Sequence, residues 1–300
     1  MSRLAILDGS WFMFRAYYGI PPLNDPQGRP VQLIYGTIKM FMQILLQDYE
    51  HIAIARDAWS KTVRHDAFVD YKANRAKAPD DLSEQIVRTH ELITDLRIPS
   101  FVYPGYEADD IIATRAYKAY ANPNMYTTVM SSDKDLKQLI NDRVDVRDPM
   151  KNKKTNLSDF QREFGFAPAH MRDYLALIGD ASDNIPGIAG IGPKTASDLI
   201  KQYGSIEAIY ADIDGWTINK SIMTKLDAWR DMVAQALQLV GLLTVPEMET
   251  LAIAPSCTRE PDMHILRHLL LDVYDFQSLS PLIDKLEKKI TKPAMQGLFG

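Results

Sequence analysis

Short apolar runs alternate with amphipathic stretches through the first half of the chain. Residues 4–7 are a buried-type run that ends at Asp8. Over residues 31–49, Ile34, Ile38, Phe41, Met42, Leu45 and Leu46 recur at helical spacing and predict one apolar helix face. His51–Ala55 predicts a second strand, residues 100–103 a third, and Met125–Met130 a fourth that runs into Ser131-Ser132-Asp133. A helix over residues 107–120 separates the last two. Strands alternating with helices predict an α/β fold: a mainly parallel sheet with helices on both faces. Beyond Asn156 the pattern turns helical, over 159–164, 170–178, 195–203 and 222–240, punctuated by Pro186-Gly187 and by Gly190 to Pro193. An α/β domain over 1–178, a helical domain over 179–285 and a disordered, Lys-rich tail over 286–300 are the expected organisation.

Composition narrows this little. The 300 residues are 46% hydrophobic and 24% charged, ordinary for a globular protein with a large core. A single cysteine, Cys257, excludes an internal disulfide and a Cys-rich zinc site. The N-terminal apolar run is too short for a signal peptide, and no stretch approaches the ~18 apolar residues of a membrane span. A cytoplasmic location without membrane contact is expected. The net charge of −5 argues against a simple basic nucleic-acid binder, yet it suits a nuclease whose metal-binding carboxylates lower the total.

The acids are not scattered. Asp8 and Asp57 each end a predicted strand, Asp133 and Asp135 follow another, and Glu107-Ala108-Asp109-Asp110 opens a helix after a third. Ligands of an open parallel sheet bind beyond the carboxyl ends of its strands, so these acids should meet at one edge. Asp180 and Asp183, three apart, share one face of a turn. Crowded carboxylates repel, and divalent cations relieve that; an all-oxygen set suits Mg²⁺, with Mn²⁺ as a substitute. Two such ions about 4 Å apart form a clamp for phosphodiester hydrolysis.

The segment from Ile185 to Ala196 carries Gly187, Gly190, Gly192, Lys194 and Thr195 ahead of a predicted helix. Free backbone N–H groups at such a start make an anion site. A P-loop is disfavoured because Pro193 is inserted before Lys194-Thr195 and no strand precedes, and a dinucleotide fingerprint lacks its third glycine. The better reading is a helix-hairpin-helix that grips a phosphate backbone without reading bases. Between Lys61 and Lys77 the chain is locally basic, with Arg64, Lys72 and Arg75, and Tyr71 there is a candidate for stacking on a base.

Taken together, Asp8-Gly9-Ser10 with Arg15-Ala16-Tyr17, the run Tyr71 to Arg75, Glu107 to Asp110, Ser132 to Asp135, and Gly179 to Gly187 resemble the 5′-nuclease family, over about residues 3–285. Within it the best match is to the N-terminal nuclease domain of bacterial DNA polymerase I and to stand-alone bacterial and phage flap endonucleases and 5′–3′ exonucleases. The resemblance implies a PIN-like sheet with a helical arch, followed by a helix–three-turn–helix. It implies a monomeric, two-metal, structure-specific nuclease that acts on 5′ flaps and 5′ ends of DNA, and on RNA primers, in replication and repair. By position, Asp8, Asp57, Glu107, Asp109, Asp110, Asp133 and Asp135 match the acids at and near the first metal, and Asp180 and Asp183 the second. Lys72 and Arg75 match the arch base, and the glycine hairpin matches a duplex grip that can hold K⁺. The alternative is a catalytically weak DNA-junction binder of the same fold; the complete acid set favours the enzyme.

Two features stand apart. The strand before Asp57 normally ends in an apolar residue, and here it ends in Arg56, which alternation turns away from Asp57. The chain ends in Gln296-Gly297-Leu298-Phe299-Gly300, which resembles peptides that dock into the bacterial sliding clamp, with Gln296 displaced by one position.

Overall fold

A computed structural model describes residues 1–58, 60–75, 77–212, 219–253, 257 and 260–296. Strands β1 (Ser2–Asp8), β2 (His51–Ala55), β3 (Ser100–Phe101), β4 (Met125–Met130), β5 (Val144–Asp148) and β6 (Lys153–Thr155) form one sheet in the order β3-β2-β1-β4-β5-β6. All neighbours are parallel except β5 and β6. The strand order reverses at β1, so the β1/β4 boundary is the point where a doubly wound sheet opens a crevice.

Side chains of β1 alternate between two cores. Leu4 and Ile6 pack on one face with α5 (Ala108–Tyr120) and the helical second half. Ala5 and Leu7 pack on the other with α1 (Gly9–Gly19) and α2 (Gln32–Leu45), an inevitable consequence of the two-residue strand period. The second core includes the C-terminal helix Ser280–Gln296 through Ile283 and Leu286. The tail expected to be loose from residue 286 is therefore helical through Gln296: Leu286 is buried, and Ile290 packs against the same core. Leu298 and Phe299 lie outside the described residues, and so does the clamp-peptide resemblance that rests on them.

Helix α1 starts where β1 ends. A side chain on Gly9 would collide with the Ala55 carbonyl and with Ile54, so only glycine lets α1 leave the sheet this close to β2. Between β2 and β3 lie α3 (Val63–Ala67) and α4 (Asp80–Asp95). The second half contains α6 (Leu157–Phe164), α7 (Met171–Ile178), α8 (Pro193–Tyr203), α9 (Ile206–Ala211), α10 (Lys220–Ala228) and α11 (Arg230–Val240). The single helix expected over 222–240 is two, broken at Trp229, whose φ of −113° and ψ of 14° leave the helical region. Buried side chains of the sheet and of these helices form one continuous cluster, so the two halves share a core.

Candidate active site

The acids do gather at the C-terminal edge of the sheet, each held by its own strand or helix end. Asp8 caps α1: one oxygen accepts from the Trp11 N–H at 2.9 Å, the other from the Ser131 hydroxyl at 2.7 Å. Ser131 follows β4, so this bond ties the two central strands at the crevice. Asp57 accepts from the Ala108 N–H at 2.7 Å, at the start of α5. The Asp133 carboxylate accepts from the Asp135 N–H at 2.8 Å, while its own N–H donates to the Ser131 hydroxyl at 3.0 Å.

Proton affinities record the crowding. Burial pushes Asp8 up to about 7, and Asp57 and Asp133 add to the rise. Asp109 is raised well above the carboxylate range, first by burial and then by Asp133, Asp8, Asp57 and Asp135. Desolvation and its neighbours Asp133 and Asp180 push Asp135 up to about 8. Desolvation also raises Asp133, helped by Asp183 and Asp180. Two overlapping groups emerge: Asp8, Asp57, Asp109 and Asp133 on one side, and Asp133, Asp135, Asp180 and Asp183 on the other. One oxygen of Asp135 is buried without a hydrogen-bond partner, an unusual state for a carboxylate. Asp180 differs: burial opposes its charge, but Ser182 and Lys134 outweigh that and hold it below the usual range. Lys134 approaches Asp180 at 3.1 Å. Among the described residues no three of these side chains converge on one point as a finished chelate.

The basic residues reach the same edge. Lys72 lies 2.6 Å from Glu107 and 3.7 Å from Asp183; Arg75 lies 2.5 Å from Asp183. Here they neutralise acids that a cation could otherwise engage. The segment that carries them is stitched to the Asp180–Asp183 turn: the Lys72 N–H donates to the Asp183 carbonyl at 3.0 Å, and the Asn74 amide to the Ala181 carbonyl at 2.7 Å. In return the Asn184 amide donates to the Asp70 carbonyl at 2.7 Å.

Three expectations need correction. Asp110 is fully buried and faces Arg64 with both oxygens, each at 2.7 Å; one of them also accepts from the Leu243 N–H. Consecutive residues point about 100° apart around a helix, so Asp109 reaches the acid edge while Asp110 turns into the core. Arg64 itself is buried, donates to the carbonyls of Leu239 and Gly241, and belongs to the fold rather than to a solvated basic patch. Tyr71 is 3% exposed and its hydroxyl donates to Glu107 and Asp183, so its ring is not available to stack on a base.

The glycines of the hairpin have separate jobs. Gly187 is packed against α7, where any side chain would run into the Ile178 carbonyl. Gly190 has φ +77° and its carbonyl accepts from Lys225 Nζ at 3.2 Å. Gly192 caps α8 with open space around it, and exposed Lys194 follows Pro193. Lys134, Asn74 and Asn184 lie inside the motifs that carry the resemblance, as does Ser10, whose hydroxyl accepts from the Asp57 N–H at 3.3 Å, but the sequence assigns none of them a role. Ser131 lies outside those motifs, just ahead of Asp133 at a strand end.

The fold agrees with the comparisons. Residues 3–165 match the family model described as the 5'-3' exonuclease N-terminal resolvase-like domain, and residues 166–260 the 5'-3' exonuclease C-terminal SAM fold. A 5'-3' exonuclease of Aquifex aeolicus is 34% identical over 296 residues, covering 98% of this chain and all of that protein. The thermostable DNA polymerase I of Thermus aquaticus is 34% identical over 277 residues, 92% of this chain but only 32% of the polymerase. Among solved structures, the T5 D15 protein co-crystallised with metal ions superposes with a TM-score of 0.67 at 20% identity, covering 97% of this chain and 98% of that one. Flap endonuclease-1 of Methanococcus jannaschii superposes at 0.60 with 16% identity, covering 95% of this chain and 91% of that one. With the two family models matched in succession and a relative covered over its whole length, the chain belongs to the 5'-3' exonuclease family.

Proposed function

We propose that the chain hydrolyses phosphodiester bonds at 5′ flaps and 5′ ends of DNA, with divalent cations, Mg²⁺ foremost, held by Asp8, Asp57, Glu107, Asp109, Asp133, Asp135, Asp180 and Asp183. The observation that carries this reading is the gathering of Asp8, Asp57, Asp109, Asp133 and Asp135 at one sheet edge, where burial and mutual repulsion raise the proton affinity of Asp8, Asp109, Asp133 and Asp135. Carboxylates crowded so that they resist ionisation, one with an orphaned oxygen, fit a hard, oxygen-seeking cation. When bound, the cations supply Lewis acidity for the attacking water and for charge on the phosphate.

The chain's own residues do the rest. Ser131 and the Trp11 N–H fix both oxygens of Asp8, so its orientation does not depend on a bound ion. Lys72 and Arg75 move from Glu107 and Asp183 to the incoming phosphate, exchanging one anion for another. Because their backbone is tied to the Asp183 turn, they deliver that charge from a fixed platform. In this reading residues 1–178 carry most of the acids, the Asp180–Asp183 turn completes the set, and the chain beyond that turn grips duplex through the Gly192–Thr195 start of α8.

The test is cleavage of a labelled 5′-flap DNA. Incision near the flap junction should require Mg²⁺ or Mn²⁺, while Ca²⁺ should support binding without cleavage. Tight flap binding with no cleavage in any divalent cation would instead establish a junction-binding protein.

A further inference from the structure

Arg56 follows the last residue of β2 and precedes Asp57. The two-residue period sends its side chain to the Ile54 face, which packs with Phe12, Leu92 and Ile93, and away from the acids. It is 9% exposed, its Nε is buried with no hydrogen-bond partner, and no acid pairs with it among the described residues. His90 of α4 is its neighbour. Burial, together with the nearby Arg56 guanidinium, pushes the imidazole down to about 4. The His90 Nε2 is also buried and unpartnered. A buried guanidinium without an anion is destabilising, and a second orphaned nitrogen on neighbouring His90 adds to that. The resemblance leads one to expect an apolar side chain at this position.

His90, though not Arg56 itself, lines a cleft of about 200 Å³ between α1 and α4. Met13, Phe14 and Ile86 make its apolar wall, and it opens onto Asp57, Glu107 and Lys72 at the acid edge. A strand whose scissile phosphate rests on that edge can run into this cleft. We propose that Arg56 and His90 form an anion subsite that takes a second phosphate of the substrate strand, one or two linkages from the scissile one. This rests on the nuclease reading above. The shared chemistry is a phosphate oxyanion, and its source is either the 5′-terminal monophosphate or an internal phosphodiester. Occupancy would give Arg56 the counter-ion it lacks and would use the single N–H of neutral His90.

The experiment measures flap affinity in Ca²⁺ and single-turnover cleavage in Mg²⁺. Substrates carry either a 5′-hydroxyl in place of the phosphate or one neutral methylphosphonate at successive linkages. Neutralising the right phosphate should weaken the unmodified protein about tenfold or more, the scale of a charged hydrogen bond. The same change should have no further effect on Arg56→Met, and Arg56→Lys should recover part of the loss. An effect confined to the 5′-hydroxyl substrate assigns the terminal phosphate; one at a methylphosphonate assigns that linkage. Arg56→Met replaces an unpaired buried charge by an apolar chain, so its Tm should hold or rise. If every substrate loses equally in Arg56→Met and the unmodified protein, the subsite does not exist. A flat profile along the substrate, measured on the unmodified protein alone, overturns it as well. Cleavage of the unmodified flap in the same assay stands or falls separately, with the nuclease reading.

Discussion

Arg64 and Asp110 face each other through two parallel 2.7 Å contacts, both side chains buried, at the seam between α3, α5 and the segment after α11. Arg64 also binds the Leu239 and Gly241 carbonyls, so one guanidinium fastens the second half of the chain to the sheet. Removing one partner strands the other charge. Asp110→Asn should therefore destabilise the fold by about 3–5 kcal/mol. Bound-metal stoichiometry of the protein that remains folded should not change. Calorimetric unfolding beside a metal titration separates the two effects; an Asp110→Asn variant of normal Tm that lost a metal would return Asp110 to the cation site.

Asp133→Asn and Asp135→Asn should each slow cleavage at least about a hundredfold and leave flap binding in Ca²⁺ measurable, because stabilisation of developing charge is lost rather than ground-state contact. Asp133 sits where the two acid groups overlap, so its loss should be the more severe. Near-normal single-turnover rates in either variant would remove the two-cation assignment.

The acid edge also dictates how stability varies with pH. Asp8 and Asp135 titrate at about 7 and about 8 when folded, against ordinary carboxylate values in the unfolded chain. A carboxyl whose affinity for protons is raised by folding contributes stability that is full below its unfolded value and is lost as pH climbs through its folded one. With cations chelated, Tm should fall between about pH 5 and about pH 8.5. Saturating Mg²⁺ should flatten or reverse that slope, since cations replace protons best where the acids are ionised. Scanning fluorimetry with and without chelator reads both arms, and a chelated protein whose Tm rises over this window would contradict the assignment.

Glycines 187 and 192 should separate folding from binding. Gly187→Val drives a side chain into the Ile178 carbonyl and should fail to fold stably. Gly192→Val meets open space, so Tm should stay put while duplex affinity drops, if the start of α8 touches a phosphate backbone. Equal duplex affinity for Gly192→Val and the unmodified protein would move the duplex contact elsewhere.

How legible was this in the sequence? The first four strands were, because Leu4 to Leu7 and His51–Ala55 are apolar runs with an acid just beyond them, as buried parallel strands read. β5 and β6 were not. Val144 to Asp148 is a short run in which charged Asp145 reads as solvent-facing, yet Asp145 is fully buried, held by Lys154 of β6 at 2.5 Å and by the Tyr126 hydroxyl at 2.8 Å. A pairing across a hairpin cannot be read from one strand's sequence. Helix α4 was missed because Leu82, Ile86, Leu92 and Ile93 are diluted by charged neighbours. The acids were found as a set, yet their division was hidden: Asp109 and Asp110 differ only in which face of α5 they occupy. Tyr71 misled for a similar reason, since its phenol is spent on Glu107 and Asp183 instead of facing solvent.

Asn74 and Asn184 form a reciprocal clamp that ties the Lys72–Arg75 segment to the Asp180–Asp183 turn. Each amide donates at 2.7 Å to a carbonyl in the other's segment, and the Lys72 N–H adds a bond to Asp183 between them. Lys72 and Asn184 both hold left-handed backbones, φ +57° and +58°, conformations that need such support. Loss of the clamp should let Lys72 and Arg75 drift from the position where they meet the phosphate. Asn74→Ala should lower the single-turnover rate about tenfold, with duplex affinity and Tm little changed, since a net hydrogen bond is worth only about 1 kcal/mol to the fold. For Asn184 the substitution by glycine keeps the left-handed backbone and removes only the amide, which isolates the clamp from strain. If Asn74→Ala and Asn184→Gly each leave the rate intact, Lys72 and Arg75 are placed by their carboxylate partners alone. If the double variant is no slower than either single one, the two amides act as one device, as the reciprocal geometry requires.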